Sequence, residues 1–266
     1  MSIKKNSSDV VVKTDRELIF DMSLLGKKHP AYFKDFNYYY ETFCDLNDRN
    51  DLSGDEKEKR LECGVEAAII IADSFDLNHE LIKIRKSEYI DFARDVLYEA
   101  GGKPNNDARA MIYLIKAFYG HTNIAYSHTN EHKQINIENG NEWVEYLEKN
   151  TKNGVLKAYG LTLRAFQYIV NGELLKMSVK DRLNKSEKDL IYATKWDEDN
   201  YYAYYALGLI YLDSGNSKYN KDKAIENFKK VLSYEGEFAQ LDRYLTDEEK
   251  TRAMNNAKNK ISLLNN

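Results

Sequence analysis

The chain has 266 residues, a formal net charge of −4, 42% hydrophobic and 31% charged residues. That length can bury a sizeable core in one large or two modest domains, and the composition is that of a globular protein rather than a disordered or membrane-embedded one. Lysines alternate with Asp and Glu instead of massing in a basic stripe, which argues against nucleic acid as the main partner.

Only Pro30 and Pro104 interrupt the sequence, and valine is scarce beside Leu, Ile, Ala and 21 tyrosines. The fold class expected is therefore all-α. Residues 1–13 read as a flexible N-terminus with no apolar core of signal-peptide length, and no run is long enough to span a bilayer. The expected compartment is the cytoplasm. Cys44 and Cys63 have neither metal-knuckle nor redox spacing and read as buried, reduced thiols.

Helices are expected near 14–26, 29–48, 54–76, 80–100, 105–119, 141–150, 154–171, 186–196, 200–214, 221–235 and 246–264. Thr14 with Glu17, Ser53 with Glu56, and Thr246 with Glu249 each set a hydroxyl three residues before a carboxylate, the capping-box arrangement. Gly101-Gly102, Asn171-Gly172 and the run from Ser214 to Asn216 read as stops, because glycine accepts the left-handed conformation that ends a helix. An N-terminal helical half at 14–120, a polar loop at 121–140 and a C-terminal half at 141–266 result, with one continuous domain preferred.

The polar stretch holds "HTNEH", His128 to His132, which matches the H-x-x-E-H string of zinc hydrolases. In that reading His128 and His132 bind the metal, Glu131 activates water and His121 is the nearest third ligand. The stretch is rich in Asn and lacks an apolar scaffold, so a solvated loop is the expectation, with no catalytic residues and no cofactor. A metal-dependent hydrolase is the alternative function. No phosphate-binding glycine loop, nucleophile elbow or dinucleotide fingerprint occurs.

Toward the C-terminus, Tyr204, Leu207, Gly208 and Tyr211 share one face of a helix, and Ala224, Phe228 and Val231 share a face of the next. Glycine inside a helix costs roughly 1 kcal/mol against alanine, so Gly208 implies that the paired helix comes too close for a side chain. These residues resemble the tetratricopeptide repeat family, W-x2-L-G-x2-Y followed by A-x3-F. Tyr204 stands where that family has tryptophan, the loop after Leu212 is about four residues longer than a ~34-residue repeat allows, and Gly236 falls where proline is usual. One repeat upstream, Leu161, Ala165 and Tyr168 fit the first helix, with Arg164 breaking the pattern, and Leu190 and Ala193 fit the second. The resemblance covers about residues 155–236.

The resemblance implies an α-solenoid of antiparallel helix pairs, 10 or 11 helices in all, whose first helices line a concave face that receives a protein or peptide. The long C-terminal helix, with Ala253, Ala257, Ile261 and Leu264 as a sparse stripe, would be its cap. The facing positions would be Tyr159, Thr162 and Phe166, then Tyr202, Tyr205, Leu209 and Leu212. They include no Lys, Arg or Asn of the kind that clamps a peptide carboxylate, so an apolar or aromatic ligand is implied. The competing expectation is that Tyr202 and Tyr205 are covered by a neighbouring helix of the same chain. The function implied is a non-enzymatic scaffold, or a neutralising or chaperone-type partner of one specific protein, with neither nucleic acid nor membrane bound.

Overall fold

A computed structural model describes residues 30–77, 86–103, 105–124, 129–213, 217–233 and 247–265. Among these residues the chain is all-helical, with ten helices. They are α1 (Pro30–Asn47), α2 (Gly54–Leu77), α3 (Lys86–Gly101), α4 (Ala108–Ile124), α5 (Asn130–Asn150), α6 (Gly154–Asn171), α7 (Val179–Trp196), α8 (Tyr201–Leu212), α9 (Lys221–Leu232) and α10 (Asp247–Asn265). The helix expected at 14–26 and the caps at Thr14 and Thr246 lie outside the described residues. Contacts divide the chain into two compact units, Met1–Tyr126 and Ser127–Asn266.

In the first unit α2 packs against α1, α3 and α4, and α3 against α4. Helix α4 is buried around its whole circumference from Ala110 to Ile115, as expected of a helix that is apolar on every side. Phe36, Tyr40, Phe43 and Phe92 form an aromatic cluster, with Tyr40 and Phe43 each edge-on to Phe92 at 5.2 and 5.6 Å. Gly64 lies directly beneath Phe43, where an added Cβ would meet the ring at 2.6 Å. The capping box at Ser53 forms as the sequence implies: the Ser53 N–H donates to Glu56 Oε2 at 2.9 Å and the Ser53 hydroxyl accepts from the Glu56 N–H at 3.3 Å.

In the second unit α6 pairs with α7 and α8 with α9, while α7 packs on α8, α9 on α10 and α5 on α6. The expected loop at 121–140 does not hold, because α4 runs on to Ile124 and α5 begins at Asn130. Thr129 caps it, its side chain accepting from the His132 N–H, and Glu131 sits in the first turn. The buried positions are Asn136, Ile137, Gly140, Trp143, Val144 and Leu147. Their spacing is helical throughout, but an amide and a glycine fill the first part of the stripe, so no apolar signal marks it. Helix α7 likewise starts at Val179, ahead of the expected 186. Its first turns are polar and are held by the Ser178 cap, which accepts from the Asp181 N–H at 3.1 Å.

Helices end at Gly101 and Asn171 as expected, but not through left-handed glycines, since no described glycine has positive φ; the stop expected at 214–216 lies outside the described residues. Gly172 ends α6 in right-handed geometry, at φ −61° and ψ −20°. Glycine is needed there for space: a Cβ would lie 2.4 Å from the Tyr168 carbonyl oxygen and 2.0 Å from Arg182 Cδ.

Candidate functional site

Helix α8 has no charged side chain in its twelve residues. Asn200 fixes its start, accepting from the Ala203 N–H at 3.0 Å while its own amide donates to Thr162 Oγ1 at 3.2 Å. Asn200 is buried, and Thr162 in turn donates to the Ala158 carbonyl at 2.8 Å, so both polar groups are satisfied. This chain of bonds joins the start of α8 to the middle of α6.

The face of α8 toward α9 is built as the sequence implies. Leu207, Gly208 and Tyr211 are buried, as are Ala224, Phe228 and Val231 opposite them, while Tyr204 is half-buried. A Cβ on Gly208 would lie 2.6 to 2.9 Å from three atoms of the Phe228 ring. Tyr211 reaches the other way and donates its hydroxyl to Glu187 of α7 at 2.8 Å, a carboxylate that Lys218 also contacts. Burial first, and then that carboxylate, push the Tyr211 phenol up and keep it a donor.

Burial takes up most of the α8 surface and leaves one arc. At about 100° per residue, Tyr202, Leu209, Tyr205 and Leu212 follow one another around the helix, and all four are half-buried. The Tyr202 ring lies against Tyr201 with centroids 4.0 Å apart, and Tyr205 leans toward Phe228 at 5.9 Å. A neighbouring ring thus lies against each tyrosine, and each keeps part of its surface exposed.

On α6, Tyr159 and Phe166 are half-buried. Thr162 is not such a position: it is 2% exposed, because its hydroxyl is spent between Ala158 and Asn200. The open arc of α6 runs instead through Val155, Tyr159, Leu163, Phe166 and Val170, with Val155 39% and Val170 66% exposed. The signal for it was present in the sequence as apolar residues at i, i+4, i+8, i+11 and i+15. Helices α6 and α8 touch each other, so both uncharged arcs belong to adjoining helices.

Arg164, which breaks the repeat pattern, is buried in a bidentate pair with Asp189 of α7 at 2.7 and 2.9 Å, with Glu148 of α5 at 3.5 Å. Burial acts to lower its pKa, but Asp189 and Glu148 outweigh it and keep the guanidinium charged. Its ion pair therefore ties α5, α6 and α7 together.

The H-x-x-E-H string does not lie along one helix. Thr129 has extended backbone at φ −61° and ψ 157°, so α5 starts after it, and His128 is outside the described residues. Glu131 and His132 are exposed in the first turn. Among the described residues no group of three His, Cys, Asp or Glu is placed to hold a metal ion, and no helix is long and apolar enough to cross a membrane. Comparison with family models, with characterised proteins and with solved structures finds no match to the chain.

Proposed function

We propose that the chain is a non-enzymatic scaffold whose tetratricopeptide-like helix pairs stack as an α-solenoid and bind a protein or peptide through the uncharged arcs of α6 and α8. The observation that carries this reading is the division of α8. Its seam residues are buried against α9 and α7, while Tyr202, Tyr205, Leu209 and Leu212 remain accessible and uncharged. Tyrosine offers a large contact area with little side-chain entropy to lose, which suits it to a binding surface. The reading places the protein in the reducing cytoplasm, consistent with Cys44 and Cys63 forming no disulfide and with burial raising the Cys63 thiol pKa.

The test compares wild type with Tyr202→Ala/Tyr205→Ala in pull-downs from the native host, with melting followed by circular dichroism. The expected result is a partner enriched on wild type and lost from the double variant, both proteins melting alike. A partner retained by the folded double variant, or none enriched on either, overturns the placement of the surface.

A further inference from the structure

Lysines alternate with acids over the chain as a whole, but the α6–α7 hairpin departs from that pattern. Residues 152–196 hold nine Lys and Arg against four Asp and Glu, while the rest of the chain holds 30 against 39. Each of the four acids is already engaged: Glu173 with Arg182, Asp189 with Arg164, Glu187 with Tyr211 and Lys218, and Asp181 with the Ser178 hydroxyl. The lysines are left over. Among the described residues none of Lys157, Lys180, Lys185, Lys188 and Lys195 forms an ion pair.

At about 100° per residue, Lys180, Asn184, Lys188, Ile191, Tyr192 and Lys195 of α7 fall within one arc of about 120°, and all of them are exposed. Lys185 and Trp196, also exposed, widen that arc toward α6. Three ammonium groups stand over aromatic rings: Lys157 over Trp196 at 4.6 Å, Lys195 over Tyr192 at 5.2 Å and Lys185 over Tyr168 at 5.5 Å. A ring holds an ammonium in place without neutralising it. Tyr192 and Trp196 are themselves 46% and 50% exposed, so a ligand that reaches the lysines also meets aromatic surface.

We propose that this face of α7 docks an acidic segment of a partner protein, whose carboxylates pair with Lys157, Lys185, Lys188 and Lys195. The face is separate from the uncharged arcs of α6 and α8 and takes a ligand of different chemistry.

Charge decides between the polyanions. At 0.15 M salt a field falls off over about 8 Å, so a short segment lying on this face meets the local positive charge rather than the net −4 of the chain. A nucleic acid runs past the face and brings its phosphates against the acidic remainder, beginning with Asp197, Glu198 and Asp199 directly after Trp196. Single strands also gain by stacking bases on open rings. Here an ammonium already stands over each ring.

The test is fluorescence anisotropy of fluorescein-labelled decaglutamate with the full chain, at about 20 mM salt, where screening is weak, with labelled decathymidylate in parallel. Decaglutamate is expected to bind saturably below about 1 mM and to weaken as salt is raised. Lys188→Glu/Lys195→Glu is expected to lower its affinity at least tenfold with an unchanged melting curve, and Lys188→Gln/Lys195→Gln to lower it less. Lys229→Glu/Lys230→Glu makes the same change in net charge at exposed positions of α9 and is expected to shift affinity less than twofold. No saturable decaglutamate binding, or an equal loss in the α7 and α9 charge reversals, overturns the proposal. Tighter binding of decathymidylate overturns it in favour of a nucleic acid. None of these results bears on Tyr202 and Tyr205, whose partner is tested separately.

Discussion

Gly208 gives up roughly 1 kcal/mol of helix propensity, and the Phe228 ring that fills the space above it is the compensation. Restoring a side chain there reverses the exchange. Gly208→Val is expected to destabilise the second unit by about 1 to 3 kcal/mol through overpacking, measured by urea denaturation, and Gly208→Val/Phe228→Leu to recover part of the loss. A Gly208→Val chain as stable as wild type would contradict the packing. That role was legible in the sequence, because a glycine on an apolar helical face gives up propensity only where a neighbour must come close. Arg164 was not legible, since a charge at a core position looks like a break in the repeat until Asp189 is found opposite it. Arg164→Ala is expected to cost about 3 to 5 kcal/mol by stranding a buried carboxylate, whereas Arg164→Met/Asp189→Leu costs far less. A double variant as unstable as the two single losses added together would argue against the buried pair.

The Glu56 carboxylate, half-buried in the first turn of α2, is held at about 2 from an ordinary 4.5, first by the Ser53 N–H and then by Arg49 and the Ser53 hydroxyl. A lowered value in the folded state favours folding above the ordinary one, and that contribution drains away as pH falls from 4.5 toward 2. The gap in melting temperature between wild type and Glu56→Gln should therefore be constant above pH 5, roughly, and close on acidification. A gap that widens in acid would have the wrong sign.

Helix ends were readable where a hydroxyl and a carboxylate announced them, as at Ser53 and Glu56, and where an apolar stripe began at once, as in α6. They were hidden where polar residues occupy buried positions. Asn136 and Gly140 in α5, and Ser186 in α7, pack inside while looking like surface or loop residues. Asn200, which the sequence did not mark, both caps α8 and serves as a cross-link between α6 and α8. Its two duties separate by substitution. Asn200→Asp keeps the cap and loses the donor to Thr162, while Asn200→Ala loses both, with about 1 kcal/mol attributable to the cap. Hydrogen exchange of the first turn of α8 should rise modestly in the first variant and more in the second; equal protection in both would show that the cap contributes nothing.

The division of the chain into helix pairs was legible because period and glycine placement are local. The grouping of those pairs into two units was not, since it depends on contacts between residues far apart in sequence, such as Phe43 with Phe92 or Arg109 with Glu66. Two units with their own cores need not melt together. Calorimetry of the full chain is expected to show two overlapping transitions, with Gly64→Val lowering one and Gly208→Val the other. A single transition lowered equally by both would mean the cores unfold as one.

An aromatic ring seated on a glycine recurs in both units, Phe43 on Gly64 and Phe228 on Gly208. Sliding α9 by one turn along α8 would drive the Phe228 ring from the glycine onto Tyr204 or Tyr211, so the pair has one register and no gradual path to another. Anything that displaces α8 therefore carries α9 with it, and the bonds placed under strain are those to the other neighbours, Asn200 to Thr162 of α6 and Tyr211 to Glu187 of α7.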